Sequence, residues 1–131
     1  MTRINLIPVQ ELTRQHLIAE YRELPRIAAA AAKAFSRPGF KSTDIPPTYR
    51  MGKGHVTFFY NKGEWLARRF AMLVQEMIDR GYQVNYPWYP EELHPLEWMN
   101  DWEPSEKEVK ISQQRVSQRR MEIDNKKLIN D

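Results

Sequence analysis

At 131 residues, with 41% hydrophobic and 28% charged residues, the chain has the composition of an ordinary globular domain, long enough for one core but not for two. The lack of cysteine excludes disulfides and thiolate metal sites, and three dispersed histidines, His16, His55 and His94, offer no ligand-spaced cluster, so neither a metal nor a cofactor is expected. A net charge of +3, no apolar run near the roughly 18 residues of a membrane span and no basic-then-apolar leader predict a cytoplasmic protein without membrane contact.

The modest total conceals a segregation of charge. Residues 1–82 carry 13 Lys and Arg against 7 Asp and Glu, residues 83–104 carry none against 5, and residues 105–131 carry 7 against 5. Two basic stretches therefore flank an acidic one. A basic face attracts a polyanion such as nucleic acid, although surplus Lys and Arg also serve solubility alone.

The chain opens on Thr2-Arg3-Ile4-Asn5-Leu6. Removal of Met1, which the small side chain of Thr2 permits, would leave a terminal amine with a reference pKa of about 7.7 to 8.0, substantially neutral near pH 7 and able to form a Schiff base. Neighbouring cations such as Arg3, Arg22 and Arg26 would favour the neutral form further.

A helix is predicted from the N-cap Thr13 towards Ser36, bent at Pro25, which removes a donor and frees the Tyr21 carbonyl. At about 100° per residue, Leu17, Tyr21, Leu24, Ala28, Ala31 and Phe35 form an apolar stripe, while His16, Ala19, Glu20, Arg22, Glu23 and Arg26 are expected on the face left for a ligand. Glu23 reads in two ways: as a partner of Arg22 or Arg26 in a solvated charge run, or as a carboxylate that handles protons beside an amine. The run Ala28-Ala29-Ala30-Ala31-Ala32 is small and strongly helix-forming, suited to close packing.

Ser36-Arg37-Pro38-Gly39 ends that helix and Pro46-Pro47 keeps the next segment extended. The result is a loop of roughly twenty residues in which Arg50, Lys53 and Gly52-x-Gly54 could meet phosphate. His55 to Tyr60 is apolar and β-prone, with Phe58, Phe59 and Tyr60 expected in the core. A second helix follows a capping box at Asn61-x-x-Glu64. It presents Leu66, Phe70, Leu73 and Met77, with Val74 and Ile78, to the core and closes at Gly81; Arg68 and Arg69 fall off that stripe and are expected in solvent.

Residues 83–104 combine Pro87, Pro90, Pro95 and Pro104 with Trp88, Trp98 and Trp102, predicting an irregular Ω-like loop with its tryptophans packed; an aromatic wedge that stacks on opened DNA is the alternative. The last helix starts at the capping box Ser105-x-x-Glu108. It carries a thin stripe of Val109, Ser112, Val116 and Ile123, and is otherwise basic through Lys110, Arg115, Arg119, Arg120, Lys126 and Lys127.

Residues 2–27, the run Gly54-His55-Val56-Thr57-Phe58-Phe59-Tyr60 and, more weakly, Ile111-Ser112-Gln113 resemble the phage-type pyrimidine dimer DNA glycosylases, the ultraviolet endonuclease V family. The strong similarity covers less than half of the chain. The resemblance implies a metal-free enzyme in which the Thr2 α-amine attacks C1′ of the damaged nucleotide and expels the base as an imine forms. Glu23 would stabilise that imine and assist removal of the 2′ proton, so that β-elimination cuts the strand. It further implies that Arg3, His16, Arg22 and Arg26 grip phosphates around a kinked duplex, and that Arg115 and Arg119 contact the substrate. The chain departs from the family at its end, where no aromatic follows Trp102 and the family's aromatic, basic tail is missing. That departure leaves lesion preference open.

The expected architecture is all-α: a single compact domain over residues 1–131, with three main helices, an extended N-terminal tail threaded between helices at the site, and long irregular loops. The expected protein is a monomer that binds damaged double-stranded DNA and joins glycosylase to abasic-site lyase activity on pyrimidine dimers. Two alternatives stand beside it: the same imine chemistry on another damaged base or on abasic sites, and a non-catalytic DNA-binding module that would need neither Thr2 nor Glu23.

Overall fold

Thr13 starts the first helix as its sequence position predicts: its hydroxyl accepts from the His16 amide at 3.2 Å, and α1 runs over Arg14–Glu23. Pro25 does more than bend the chain. Lacking an amide, and set at φ −61° and ψ −21°, it ends the ladder of α1 and caps a separate helix, α2, Arg26–Ser36. The junction is bridged by the Ile27 amide donating to the Leu24 carbonyl at 3.1 Å.

The computed structural model describes the backbone of residues 3–130 and the side chains of residues 3–122. The architecture is all-α, with no strand among the described residues and only an isolated bridge between Lys62 and Met99. The apolar run after Gly54 forms a single turn, α3, His55–Phe58, entered through Gly54 at φ 90°, a left-handed conformation that favours glycine. α4 follows over Gly63–Asp79 and ends before Gly81, at φ 80°. α5 spans Glu106–Asn130. Ile123, Lys126 and Lys127 lie outside the residues whose side chains are described. No helix among the described residues is long and apolar enough to cross a membrane.

The two expected capping boxes fare differently. At α5 both halves form: the Ser105 amide donates to Glu108 Oε1 at 2.9 Å and the Glu108 amide to Ser105 Oγ at 3.2 Å. At α4 the box is absent, because the helix begins one residue later than the pattern requires, with Lys62 at the cap. Asn61 Oδ1 accepts from Lys62 Nζ at 2.6 Å instead, and the Trp65 amide finds the Asn100 carbonyl at 3.4 Å. Packing there is close, since a Cβ on Gly63 would have to displace the Met99 side chain and press on the His94 ring.

One apolar core joins the N-terminal tail to the helices. Ile4, Ile7, Val9 and Leu12 of the tail are buried with Leu17 and Leu24 of α1, Leu66, Phe70, Leu73 and Met77 of α4, and Val116 of α5. Phe58 and Phe59 are fully buried, and Trp102 packs edge-on against Phe58 at 5.0 Å between ring centroids. Two stripe positions emerge from the core as their helices run past it: Phe35 is 47% exposed and Ile78 is 53% exposed.

The segment 83–104 is irregular, with short 3₁₀ turns at Glu91–Leu93 and Leu96–Trp98. Trp98 is buried beside Ala31 and Ile45, and Trp102 is half-buried. Trp88 overturns the expectation of a packed tryptophan, being 80% exposed. Its neighbour Tyr89 takes the inward position, with its hydroxyl 2.6 Å from His94 Nε2.

Candidate active site

The first residues of the chain run through the protein without a strand partner, so their backbone groups must be satisfied otherwise. Side chains do this for five backbone groups between Ile4 and Ile7. The Ile4 amide donates to His55 Nε2 at 2.8 Å, and the Ile4 carbonyl accepts from Tyr49 Oη at 2.8 Å. The Asn5 amide and Nδ2 both donate to Glu20 Oε1, at 3.2 and 2.8 Å. The Leu6 amide donates to Ser112 Oγ at 2.9 Å, and the Ile7 carbonyl accepts from Arg69 Nη1 at 2.6 Å. Farther along, Arg80 Nη2 reaches the Val9 and Leu12 carbonyls at 3.2 and 2.9 Å.

Glu20 and Arg69 correct two expectations together. Periodicity predicts Glu20 on the ligand face and Arg69 in solvent, yet both are buried and paired, Arg69 Nε to Glu20 Oε2 at 2.7 Å. Arg69 sits at the edge of the α4 stripe. The wall it meets there is the polar backbone of the tail, which welcomes a guanidinium where an aliphatic would leave carbonyls unpaired. Arg68 does face solvent, paired with Asp101.

His55 has its ring fixed from both sides. Nδ1 lies 2.7 Å from the Arg50 carbonyl and donates to it, which leaves Nε2 as the acceptor that the Ile4 amide requires. Burial pushes its pKa below the ordinary histidine value, with the Arg50 carbonyl opposing. Burial likewise pushes the Tyr49 phenol up to about 12, so it remains a donor to the Ile4 carbonyl.

The tail delivers Arg3 to a cavity of about 270 Å³ whose wall also includes His16, Glu20 and Glu23 of α1 and Arg115 and Arg119 of α5. Three guanidiniums line it against two carboxylates, of which Glu20 is already neutralised by Arg69, while Arg119 is shared with Glu122 at 3.0 Å. Desolvation lowers the Arg3 pKa and the Arg115 charge lowers it further; His16 is lowered by burial first and then by Arg115 and Arg119. His16 is therefore neutral near pH 7, with Nδ1 engaged by the Thr13 hydroxyl at 2.6 Å. Glu23 forms no ion pair among the described residues, with Arg22, Arg26 or any other cation. A cluster of positive charge with one uncommitted carboxylate is suited to an anionic substrate and to proton transfer beside it.

Of the residues singled out in the sequence, Arg3, His16, Glu23, Arg115 and Arg119 meet in this cavity. Arg22 does not: it lines a second, larger cavity on the other flank of α1. Arg26 is exposed on α2 and lines neither. Thr2 lies outside the described residues. Among the described residues no group of His, Asp and Glu is placed to hold a metal ion.

The anchors Glu20, Tyr49, His55, Arg69 and Ser112 were not singled out as functional. Two of them carried a usable signal, since His55 and Ser112 fall inside the short runs that resemble the glycosylases, far from the N-terminal match. A family model described as pyrimidine dimer DNA glycosylase matches residues 1–90, a span that holds the tail, Glu23 and every tail anchor except Ser112. The cationic cavity with its free carboxylate and the extent of this match lead to one conclusion: the chain belongs to the pyrimidine dimer DNA glycosylase family, enzymes of DNA repair whose substrate is damaged DNA.

Proposed function

We propose that the protein is a bifunctional enzyme, a DNA glycosylase with abasic-site lyase activity, that acts on ultraviolet-induced pyrimidine dimers through an imine on its N-terminal amine. One observation carries the reading. Arg3, which follows Thr2 in the sequence, lines the same cavity as Glu23, a carboxylate with no ion-pair partner among the described residues.

With Met1 removed, the amine of Thr2 is the nucleophile. Its nitrogen bonds to C1′ as the C1′–N glycosidic bond breaks, and the base leaves with a proton. Opening of the C1′–O4′ bond gives the imine. Glu23 takes the 2′ proton, the C–H electron pair becomes the C2′–C3′ double bond conjugated with the imine, and the C3′–O bond breaks to release the 3′ phosphate; water then hydrolyses the imine. Every step uses an amine, a carboxylate and water. The Arg3 and Arg115 cations beside the cavity favour the neutral amine and attract phosphate, with Arg119 and neutral His16 adding to that grip. Arg22 and Arg26 meet phosphates outside the cavity. One domain over residues 1–131, working as a monomer on duplex DNA, suffices for this scheme.

The test is borohydride trapping on duplexes that carry a thymine dimer or an abasic site, with mass mapping of the adduct. The rival amine is Lys62, whose pKa burial lowers to about 8. Its Nζ is engaged by the Phe58 carbonyl at 2.9 Å and by Asn61 Oδ1, and it lines neither cavity. An adduct on Thr2 with the dimer duplex supports the full scheme. Trapping with the abasic duplex alone restricts the enzyme to lyase chemistry, and an adduct elsewhere or none at all refutes the imine mechanism.

A further inference from the structure

The larger cavity, about 700 Å³, opens on the flank of α1 opposite the catalytic one. Arg14, Tyr21, Arg22, Phe70, Tyr86 and Trp88 line it, and among the described residues no Asp or Glu does. The site is built rather than incidental. Tyr21 stacks on Phe70 with centroids 5.6 Å apart and planes 9° from parallel. The Tyr21 hydroxyl then fixes the backbone of Tyr86 from both sides, donating to its carbonyl at 3.2 Å and accepting from its amide at 3.0 Å. That clamp holds Tyr86 75% exposed and Trp88 80% exposed. Two exposed aromatic rings on the wall of one cavity offer it apolar surface that the fold leaves uncovered.

The partner's chemistry follows from charge and position. The acidic character of residues 83–104 begins at Glu91, so the stretch 83–90 that presents the rings is uncharged, and among the described residues the charges on the cavity wall are the guanidiniums of Arg14 and Arg22. Aromatic faces interleaved with cations fit a nucleotide, with its planar base and its phosphate. Around α1, Gln15, His16, Ala19 and Glu23 face the catalytic cavity, while Arg14, Ile18, Tyr21 and Arg22 face this one. A shallow trough walled by Arg14, Gln15, Ile18, Ala19 and Arg22 runs between the two. A helix with its side chains is about 10–12 Å across, or about three nucleotide spacings of ~3.4 Å along a strand.

We propose that the Tyr86–Trp88 cavity is a second DNA-contact site, in which the exposed rings pack on a nucleotide flanking the lesion while Arg14 and Arg22 take its phosphates. It rests on the family's DNA substrate and not on the amine mechanism. The segment 83–90 thereby contributes to recognition of damage from outside the reaction centre.

Acrylamide quenching reads the site directly. Trp65 and Trp98 are buried and Trp102 is half-buried, so quenchable emission comes mainly from Trp88, and Trp88→Phe identifies its share. The probe is a duplex with a stable tetrahydrofuran abasic analogue, its binding followed separately by anisotropy. Binding is expected to shield Trp88 from acrylamide, and Trp88→Ala is expected to weaken affinity by about 5- to 150-fold, the range for one lost base-stacking contact. Cleavage of a natural abasic duplex at saturation should change less than affinity does, because Trp88 and Glu23 line different cavities. Duplex binding with Trp88 still fully quenchable overturns the proposal, as does unchanged affinity of Trp88→Ala or failure of the protein to bind any duplex. Shielding by duplex without borohydride trapping would leave this site standing and remove the imine mechanism.

Discussion

Replacing Arg69 with methionine isolates the device that fixes the chain's first residues. Methionine occupies much of the aliphatic volume but donates nothing. Lost are the bonds from Nε to Glu20 Oε2 at 2.7 Å, from Nη2 to Glu20 Oε1 at 3.2 Å and from Nη1 to the Ile7 carbonyl at 2.6 Å. With side-chain exposures of 4% for Arg69 and 0% for Glu20, no water replaces them. Glu20 keeps only the two Asn5 donors, and a buried carboxylate stripped of its cation costs about 3–5 kcal/mol. Unfolding entropy of about 2.1 cal/mol/K per residue over the chain converts this to a fall in Tm of about 11–18 °C.

Calorimetry and urea titration measure the loss, and the pairing makes a sharper demand. Glu20→Gln still accepts from Asn5 but carries no charge, so the double variant Glu20→Gln/Arg69→Met should recover at least ~2 kcal/mol relative to the sum of the singles. A loss under about 1 kcal/mol in Arg69→Met, or full additivity in the double variant, would refute the role assigned to the pair. Cleavage should suffer even where Arg69→Met remains folded, because a misplacement of about 1 Å at a reacting group can cost 10²-fold in rate.

Glu23→Gln should lower strand cleavage by about 10² to 10⁴ while duplex affinity stays within a few-fold, measured by gel assay and anisotropy; unaltered cleavage would remove Glu23 from the mechanism. Arg115→Ala should flatten the log–log salt dependence of duplex affinity by about 0.9 for the one phosphate contact it removes, a change absent if Arg115 faces no phosphate. Tyr49→Phe deletes the donor to the Ile4 carbonyl and should destabilise by about 1–3 kcal/mol in urea unfolding, since that carbonyl is left buried and unpaired. His55 and His94 are buried with pKa values below the usual 6.5, so the unfolded chain binds more protons than the folded one just below that pH. Stability is thus full above about pH 6.5 and falls as pH drops towards the folded values, by up to about 1.4 kcal/mol per unit for each histidine; urea midpoints equal at pH 7 and pH 5 would contradict this.

Local signals carried the helices well. Thr13, Pro25, Gly81 and the Ser105–Glu108 box act within a few residues, and their effects were legible because capping and backbone chemistry need no distant partner. The α4 start was misread for the same reason in reverse: Asn61 had the right chemistry, but the chain packs Gly63 against Met99, which is set from 36 positions away. Trp88 was misread because bulk favours burial while the neighbouring Tyr89 had the better claim, with His94 waiting for its hydroxyl.

Glu20 and Glu23 show where reading by periodicity ends. They lie on one helix, three residues apart, and no local pattern separates a structural from a reactive carboxylate there. What separates them is remote: Arg69, 49 positions away, and Asn5, 15 positions away, consume the lone pairs of Glu20. Glu23 meets no cation within ion-pair distance among the described residues and faces the cavity that Arg3 and Arg115 line. The same helix thus uses one carboxylate to hold the tail and leaves the next one open to the cavity that Arg3 lines. Exchanging the two would bury the carboxylate proposed to react and release the anchor, so the proposed mechanism depends on the spacing between them as much as on either residue.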